Sequence, residues 1–81
     1  MRDQQAPPGG LGTASIGSTV QVTGIRLSDA HRLQLAQLGV RVGARVRVLG
    51  RTSGGGRVLG IGSARLAVDR ATAGRVEVAA A

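Results

Sequence analysis

The stretch SDAHRLQLAQLGVRVGARVRV, residues 28–48, is the most informative part of the sequence, because its pattern predicts a helix, the signal that ends the helix and the strand that follows. Ser28 is a favoured N-cap residue, and Asp29 lies in the first turn, where its charge complements the helix dipole. Gly39 is the expected left-handed residue after the last turn. We therefore predict a helix over 29–38, with an inward face formed by Leu27, His31, Leu35 and Leu38.

The residues after the helix alternate between arginine and valine, as in a strand with one buried face. Over 45–49 this pattern places Val46 and Val48 inward and the arginines in solvent. Gly62-Ser63 suits a two-residue type II′ hairpin. Further strands are predicted over 18–25, 57–61, 64–68 and 75–78.

Five short strands and one short helix, without the spacing of βαβ units, predict a mainly β domain shaped as a small open barrel. Residues 1–10 are polar and then rich in Pro and Gly, so we predict a disordered leader. The domain is expected over 11–78, and 79–81 are expected to be a frayed tail. Asp69 is predicted to cap a single helical turn over 71–73.

The composition excludes several kinds of site. The 81 residues contain no Cys, one His and four carboxylates, which rules out disulfides and thiol chemistry and leaves little for metal binding or acid–base catalysis. No apolar run approaches the roughly 18 residues that span a bilayer, and none follows the N-terminus as in a signal peptide. We expect a cytoplasmic protein without membrane insertion, which is not an enzyme and needs no cofactor.

The chain is strongly basic, with eleven Arg, no Lys and a net charge of +7. Such a charge favours nucleic acid or anionic membranes as partners. However, the arginines are spread along the chain, and no aromatic residue is present to stack on bases. Nucleic-acid binding is therefore disfavoured. Solvated strand faces, or contact with an acidic protein surface, are the interpretations for Arg45, Arg47, Arg51, Arg57 and Arg65.

Two features resemble ligand sites without completing them. His31 has no second His or Cys, and Asp29 does not share its helix face, so His31 is predicted to pack at the barrel rim. Gly54-Gly55-Gly56 precedes a strand and lacks the Lys-Ser/Thr ending of a phosphate-binding loop. We predict neither a metal site nor a nucleotide site.

Leu33 is the unexpected apolar residue of the helix, because it lies about 160° around the axis from Leu35. One interpretation is a second packing face. The other is an exposed docking surface that Leu33 forms with Ala30, Ala36 and Gln37, beside Arg32. The sequence leaves both open.

The order of these elements resembles the FeoA family, which has an SH3-like β-barrel fold. The resemblance covers 11–78, and the sequence departs from the family at Val42, where Pro is usual, and at Gly54–Gly56, where the loop commonly carries Pro. The residues of this chain that carry the resemblance most clearly are Ala30-x-Arg32-x-x-Leu35-x-x-Leu38-Gly39-x-x-x-Gly43, followed by Val46 and Val48.

The resemblance implies a non-enzymatic cytosolic adaptor of bacterial ferrous iron uptake, which binds and modulates a FeoB-type membrane GTPase transporter. Iron transport and GTP hydrolysis would belong to that partner. The surface candidates for this contact are Arg32, Leu33 and Gln37, with Arg51 and Arg57 as a charged rim. The structural residues of the same segment are Leu35, Leu38, Gly39 and Gly43.

Two other functions remain open. Similar SH3-like domains form the C-terminal part of DtxR-type metal-dependent repressors, so a free-standing copy would bind a regulator. A basic SH3-like nucleic-acid binder is the third alternative, and a steep salt dependence of binding would identify it. Open sheet edges would also allow a homo-oligomer.

Overall fold

In the computed structural model, which describes residues 9–81, one antiparallel sheet of six strands carries two short helices. The strand order is β1-β6-β2-β3-β4-β5, so β1 and β5 form its edges and the sheet is not closed. The predicted SH3-like, mainly β fold is confirmed. The strands are β1 Gly9–Gly10, β2 Thr19–Ile25, β3 Arg45–Arg51, β4 Arg57–Ile61, β5 Ala64–Val68 and β6 Val76–Ala80. The helices are α1 Asp29–Gln37 and α2 Arg70–Gly74. A 3₁₀ turn, Leu11–Thr13, lies between β1 and β2.

Alternation along the central strands builds the core, as predicted. Val46 and Val48 are buried in β3, while Arg45 and Arg47 between them are exposed. Each core valine is covered by a neighbouring strand, because Val46 pairs with a residue of β2 and Val48 with Leu59 of β4. The core consists of Leu11, Val20, Val22, Leu35, Val40, Val46, Val48, Leu59, Val68, Ala73, Val76 and Val78.

Both ends of α1 follow the sequence signals. The Ser28 hydroxyl accepts the backbone N–H of His31, which confirms the N-cap. At the other end Gly39 has a φ of +98°, as expected for a left-handed stop. The Gly39 N–H donates to the Ala36 carbonyl (3.0 Å) and the Val40 N–H to the Leu35 carbonyl (2.8 Å). This is a Schellman motif, and it turns the chain so that Val40 points into the core beside Leu35.

The predicted inward face of α1 is wrong at two positions. Leu38 is 52% exposed, because the helix already ends at Gln37. Val40, two residues after Leu38, is buried in its place. His31 is exposed and its Nδ1 lies 3.2 Å from the Ser28 hydroxyl, so it contacts the helix cap and does not pack at the rim. Leu35 is buried as predicted.

The hairpin and the second helix are confirmed. β4 and β5 have the predicted bounds, and Gly62 between them has a φ of +59° while Ser63 does not have a positive φ, as a type II′ turn requires. Asp69 caps α2 by accepting the Thr72 N–H at 2.7 Å. This hydrogen bond holds the pKa of the Asp69 carboxyl below its ordinary value.

The chain ends need correction. Gly9 and Gly10, assigned to the leader, pair with Val78 and Glu77 as strand β1; the rest of the leader, residues 1–8, lies outside the described residues. The predicted tail is also part of the sheet, since Ala79 and Ala80 pair with β2. The pairing of Gly9 and Gly10 adds a sixth strand, whereas that of Ala79 and Ala80 lengthens β6. Both are possible because every residue except proline carries a backbone donor and acceptor, whatever its side chain.

Arg57 is a correction of a different kind. Its side chain was expected on the charged rim, yet the residue is only 8% exposed. The guanidinium donates to the carbonyls of Gly55 (3.2 Å), Gly56 (3.0 Å) and Gly12. It therefore ties the 3₁₀ turn to the loop before β4. A buried charge is tolerated there because these carbonyls replace water as hydrogen-bond partners.

Candidate partner-binding groove

An open groove lies between α1 and the turn that follows it. We call it the α1 groove. Its lining comes from α1, from the end of β2 and from the turn after Gly39. The lining residues are Ile25, Asp29, Arg32, Leu33, Ala36, Arg41 and Val42.

The apolar part of the groove is exposed to an unusual degree. Leu33 is 60% exposed and Val42 58% exposed, the two highest values among the large apolar residues of the described chain. A single exposed Leu is ordinary, but two large apolar side chains in one groove form a patch that a partner can cover. Because Leu33 is exposed, it does not form a second packing face of the helix and is part of a free surface.

Turn geometry explains why Val42 faces outward. The Ala44 N–H donates to the Arg41 carbonyl at 2.9 Å, which closes a four-residue turn. Gly43, in the third position, has a φ of +94°, as type II turns require. Val42 occupies the second position, where Pro is favoured in such turns. With Val there, an aliphatic side chain is added to the groove.

The charged residues of the groove are mostly basic. An Arg32 guanidinium nitrogen lies 3.8 Å from an Asp29 carboxylate oxygen, and both side chains are largely exposed, so this pair is weak. Arg41 forms no ion pair among residues 9–81. A partner that carries carboxylates beside an apolar segment would match this arrangement.

Only part of the predicted surface is gathered here. Arg32 and Leu33 line the α1 groove. Gln37 is exposed but lines a different depression, against β5, and Arg51 is exposed at the end of β3. Arg57 is buried and cannot act as a rim charge. A binding role for Arg32, Leu33, Gln37 and Arg51 stays a prediction.

Sequence reasoning missed four lining residues: Ile25, Asp29, Arg41 and Val42. Ile25 lies at the end of β2 and Val42 in the turn, so they are distant in sequence from Leu33. Only the return of the chain after Gly39 brings them together. The available signal was Val42 itself, an aliphatic residue before a glycine turn.

Other chemistry is sparse in the part of the chain that the structure describes. Residues 9–81 bring together no group of three His or carboxylate side chains that could hold a metal ion. Within the same range, neither helix has the length and apolar character needed to cross a bilayer.

The fold and the groove define a small SH3-like protein with an exposed apolar groove that carries basic residues. The family model of the FeoA domain matches residues 10–80, and the chain therefore belongs to the FeoA family. No curated protein matches it in sequence.

Solved structures agree with this assignment. The crystal structure of an iron uptake regulatory protein (FeoA) superposes with a TM-score of 0.75 at 26% identity, over 90% of this chain and 96% of that one. A FeoA-like protein from Clostridium acetobutylicum gives 0.73 at 23% identity, over 90% and 86% of the two chains. A manganese-dependent transcriptional repressor gives 0.69 at 29% identity, over 93% of this chain but 42% of the repressor.

Proposed function

We propose that this protein is a non-enzymatic cytosolic adaptor of ferrous iron uptake, which binds and modulates a FeoB-type membrane GTPase transporter through the α1 groove. The observation that carries the proposal is an exposed apolar groove on a chain of the FeoA family. A domain without a metal cluster in its described residues would act by contact, while iron transport and GTP hydrolysis belong to the transporter.

Leu33 is the expected anchor of this contact. It is the most exposed of the three large apolar residues that line the groove, and a partner that covers it removes apolar area from water. Arg32 and Arg41 at the edge of the groove would add charge complementarity, which raises the association rate and makes it sensitive to salt.

The test is calorimetric titration of the protein into the detergent-solubilised transporter at physiological salt, with and without a GTP analogue. The wild-type chain should give saturable binding. Leu33→Asp places a charge in the apolar contact and should weaken binding at least about tenfold, as loss of a central anchor does. Its melting temperature should stay within about 2 °C of the wild type, since exposed substitutions change stability little.

Ile16→Asp is the matched control. Ile16 is also an exposed aliphatic residue, but it precedes β2, whereas Ile25 of the groove ends β2. The control should bind like the wild type. Absence of binding in both nucleotide conditions, or equal loss in the two variants, would contradict the proposal.

A second candidate function is binding to a metal-dependent repressor. The similarity of this chain to less than half of a manganese-dependent repressor favours it, because the same module occurs there beside other domains. Titration of the chain into a DtxR-type repressor tests this alternative. Binding that Leu33→Asp weakens, together with no binding to the transporter, would assign the α1 groove to the regulator.

A further inference from the structure

The outer face of the sheet carries a row of arginines that the adaptor function does not use. Thr19, Arg47, Gly60 and Arg65 lie directly opposite one another across β2, β3, β4 and β5. Paired residues of antiparallel strands point to the same side, here away from the core. Arg45 lies two residues before Arg47 in β3 and points the same way. We call Arg45, Arg47 and Arg65 the outer-face arginines.

No carboxylate neutralises these three charges within residues 9–81. Glu77 pairs with Arg26 at 3.2 Å, and Asp29 pairs with Arg32. Asp69 accepts the helix-capping hydrogen bond of α2. All three outer-face arginines are exposed. Over residues 9–81 the face therefore presents positive charge that no carboxylate meets, and an external anion can neutralise it.

An apolar side chain lies among the charges. Gly60 separates Arg47 from Arg65 and leaves a depression, because it has no side chain. Leu49 leans over this position: its Cδ1 would lie 3.1 Å from a Cβ added at Gly60. Leu49 is the additional residue of a β-bulge between Val48 and Gly50 and is 38% exposed. The face thus combines guanidinium groups with an aliphatic centre.

We propose that this outer face binds the surface of an anionic phospholipid bilayer. The arginines would contact headgroup phosphates, and Leu49 would lie at the boundary between headgroups and acyl chains. A lipid surface matches both features, whereas a nucleic-acid backbone offers phosphates but no apolar counterpart to Leu49. The chain also has no aromatic residue on which bases could stack. Binding is peripheral and does not require the α1 groove.

The expected strength follows from charge. Each basic residue near an anionic leaflet contributes about 1 kcal/mol, which corresponds to roughly fivefold in the partition coefficient. Three arginines together give on the order of a hundredfold preference for anionic over neutral lipid. Because the Debye length falls to about 3 Å at 1 M salt, this preference should disappear there.

The experiment is co-sedimentation of the full chain with vesicles of equimolar phosphatidylglycerol and phosphatidylcholine, compared with vesicles of phosphatidylcholine alone. The decisive pair of variants is R47Q/R65Q and R70Q/R75Q. Each pair removes two positive charges and lowers the net charge from +7 to +5. Arg70 and Arg75 are exposed and lie at α2, away from the outer face. Far-ultraviolet circular dichroism confirms that each variant is folded.

The wild-type chain should bind the anionic vesicles at low salt and not the neutral ones. R47Q/R65Q should reduce the partition coefficient about 25-fold, and R70Q/R75Q less than about threefold. Leu33→Asp should leave vesicle binding unchanged, so failure of the adaptor proposal and failure of this one are distinguishable.

Three results would overturn the proposal. One is equal loss in the two double variants, which would indicate net charge alone. Another is equal binding to neutral vesicles. The third is tighter binding to a duplex oligonucleotide than to the anionic vesicles, with loss of that binding in R47Q/R65Q, which would assign the face to nucleic acid.

Discussion

The centre of the sheet and helix α1 are both amphipathic in sequence, but they use their apolar residues differently. In β3 the buried and exposed residues alternate as far as Val48, and Val48 pairs with buried Leu59 of β4. In α1, by contrast, only Leu35 of nine residues is buried, although Leu33 is equally apolar. Apolar spacing predicted the buried face of β3 correctly and only half of the helix face.

The difference lies in what surrounds each element. β3 is paired on both sides, by β2 and β4, and these ladders fix which way every side chain points. α1 belongs to no ladder, and of its nine residues Leu35 alone is buried in the core. A short helix on the side of a sheet needs one anchored turn, so its other apolar residues remain available for a partner.

The largest effect should come from the sheet centre. Leu59→Ala removes a fully buried side chain between β3 and β5, where the ladders prevent collapse of the cavity. We expect a loss of about 3–5 kcal/mol in the free energy of unfolding. Urea denaturation followed by circular dichroism measures it. A loss below about 1 kcal/mol would show that the ladders do not prevent the cavity at Leu59 from collapsing.

Leu35→Ala tests the anchored turn of α1. Leu35 is buried at the edge of the core, where the helix can shift to fill part of the space. The expected cost is about 2–4 kcal/mol, below that of Leu59→Ala in the same denaturation assay. Leu33→Ala is the control and should cost less than about 0.5 kcal/mol, because Leu33 is exposed. Equal costs for Leu35→Ala and Leu33→Ala would mean that α1 is not anchored through Leu35.

Arg57→Met tests the sheet at a charged residue, because Arg57 occupies a core-side position of β4. It precedes Leu59 by two residues and so shares its face. The substitution keeps an unbranched side chain but removes the guanidinium donor from the carbonyls of Gly12, Gly55 and Gly56. Of these, the Gly56 carbonyl keeps the backbone N–H of Thr52 as a donor. We expect a loss of about 1–3 kcal/mol.

The matched control for that substitution is Arg47→Met, on the outer face of the neighbouring strand. It should change the free energy of unfolding by less than about 0.5 kcal/mol. If both arginine substitutions lower the free energy of unfolding by the same small amount, the hydrogen bonds of the Arg57 guanidinium do not stabilise the fold.

The smallest effect is expected from Leu38→Ala. A leucine on the inward face would cost several kcal/mol, whereas Leu38 is 52% exposed after the end of α1. The expected loss is under about 1 kcal/mol. A loss of unfolding free energy as large as that of Leu35→Ala would mean that Leu38 is buried, as its spacing predicted. It would contradict the finding that Val40 takes this position in the core.

Much of the fold was predictable because its signals are local. The N-caps Ser28 and Asp69, the left-handed Gly39 and the Gly62-Ser63 hairpin depend on a few neighbouring residues each, and the structure has all of them. The errors fall on residues whose surroundings come from elsewhere in the chain. The Arg57 side chain donates to the 3₁₀ turn, 45 positions away in the sequence. Its place on the core side of β4 makes it buried although it is charged.

The candidate site was predictable only in part for the same reason. Helical geometry separated Leu33 from Leu35 and placed Arg32 beside it. Val42 and Ile25 join them only after the Schellman motif and the following turn have reversed the chain. The row of Thr19, Arg47, Gly60 and Arg65 likewise exists only through the strand register.

Periodicity and motifs of adjacent residues were enough to predict strands β2 to β6, the helix caps, the hairpin and the family resemblance. Tertiary structure alone decided that Arg57 is buried, that Val40 replaces Leu38 in the core, and that Gly9–Gly10 and Ala79–Ala80 join the sheet. It also decided which surfaces stay free. The physical reason is that burial and neutralisation are properties of a side chain's neighbours, and in a sheet of this topology most neighbours are distant in sequence.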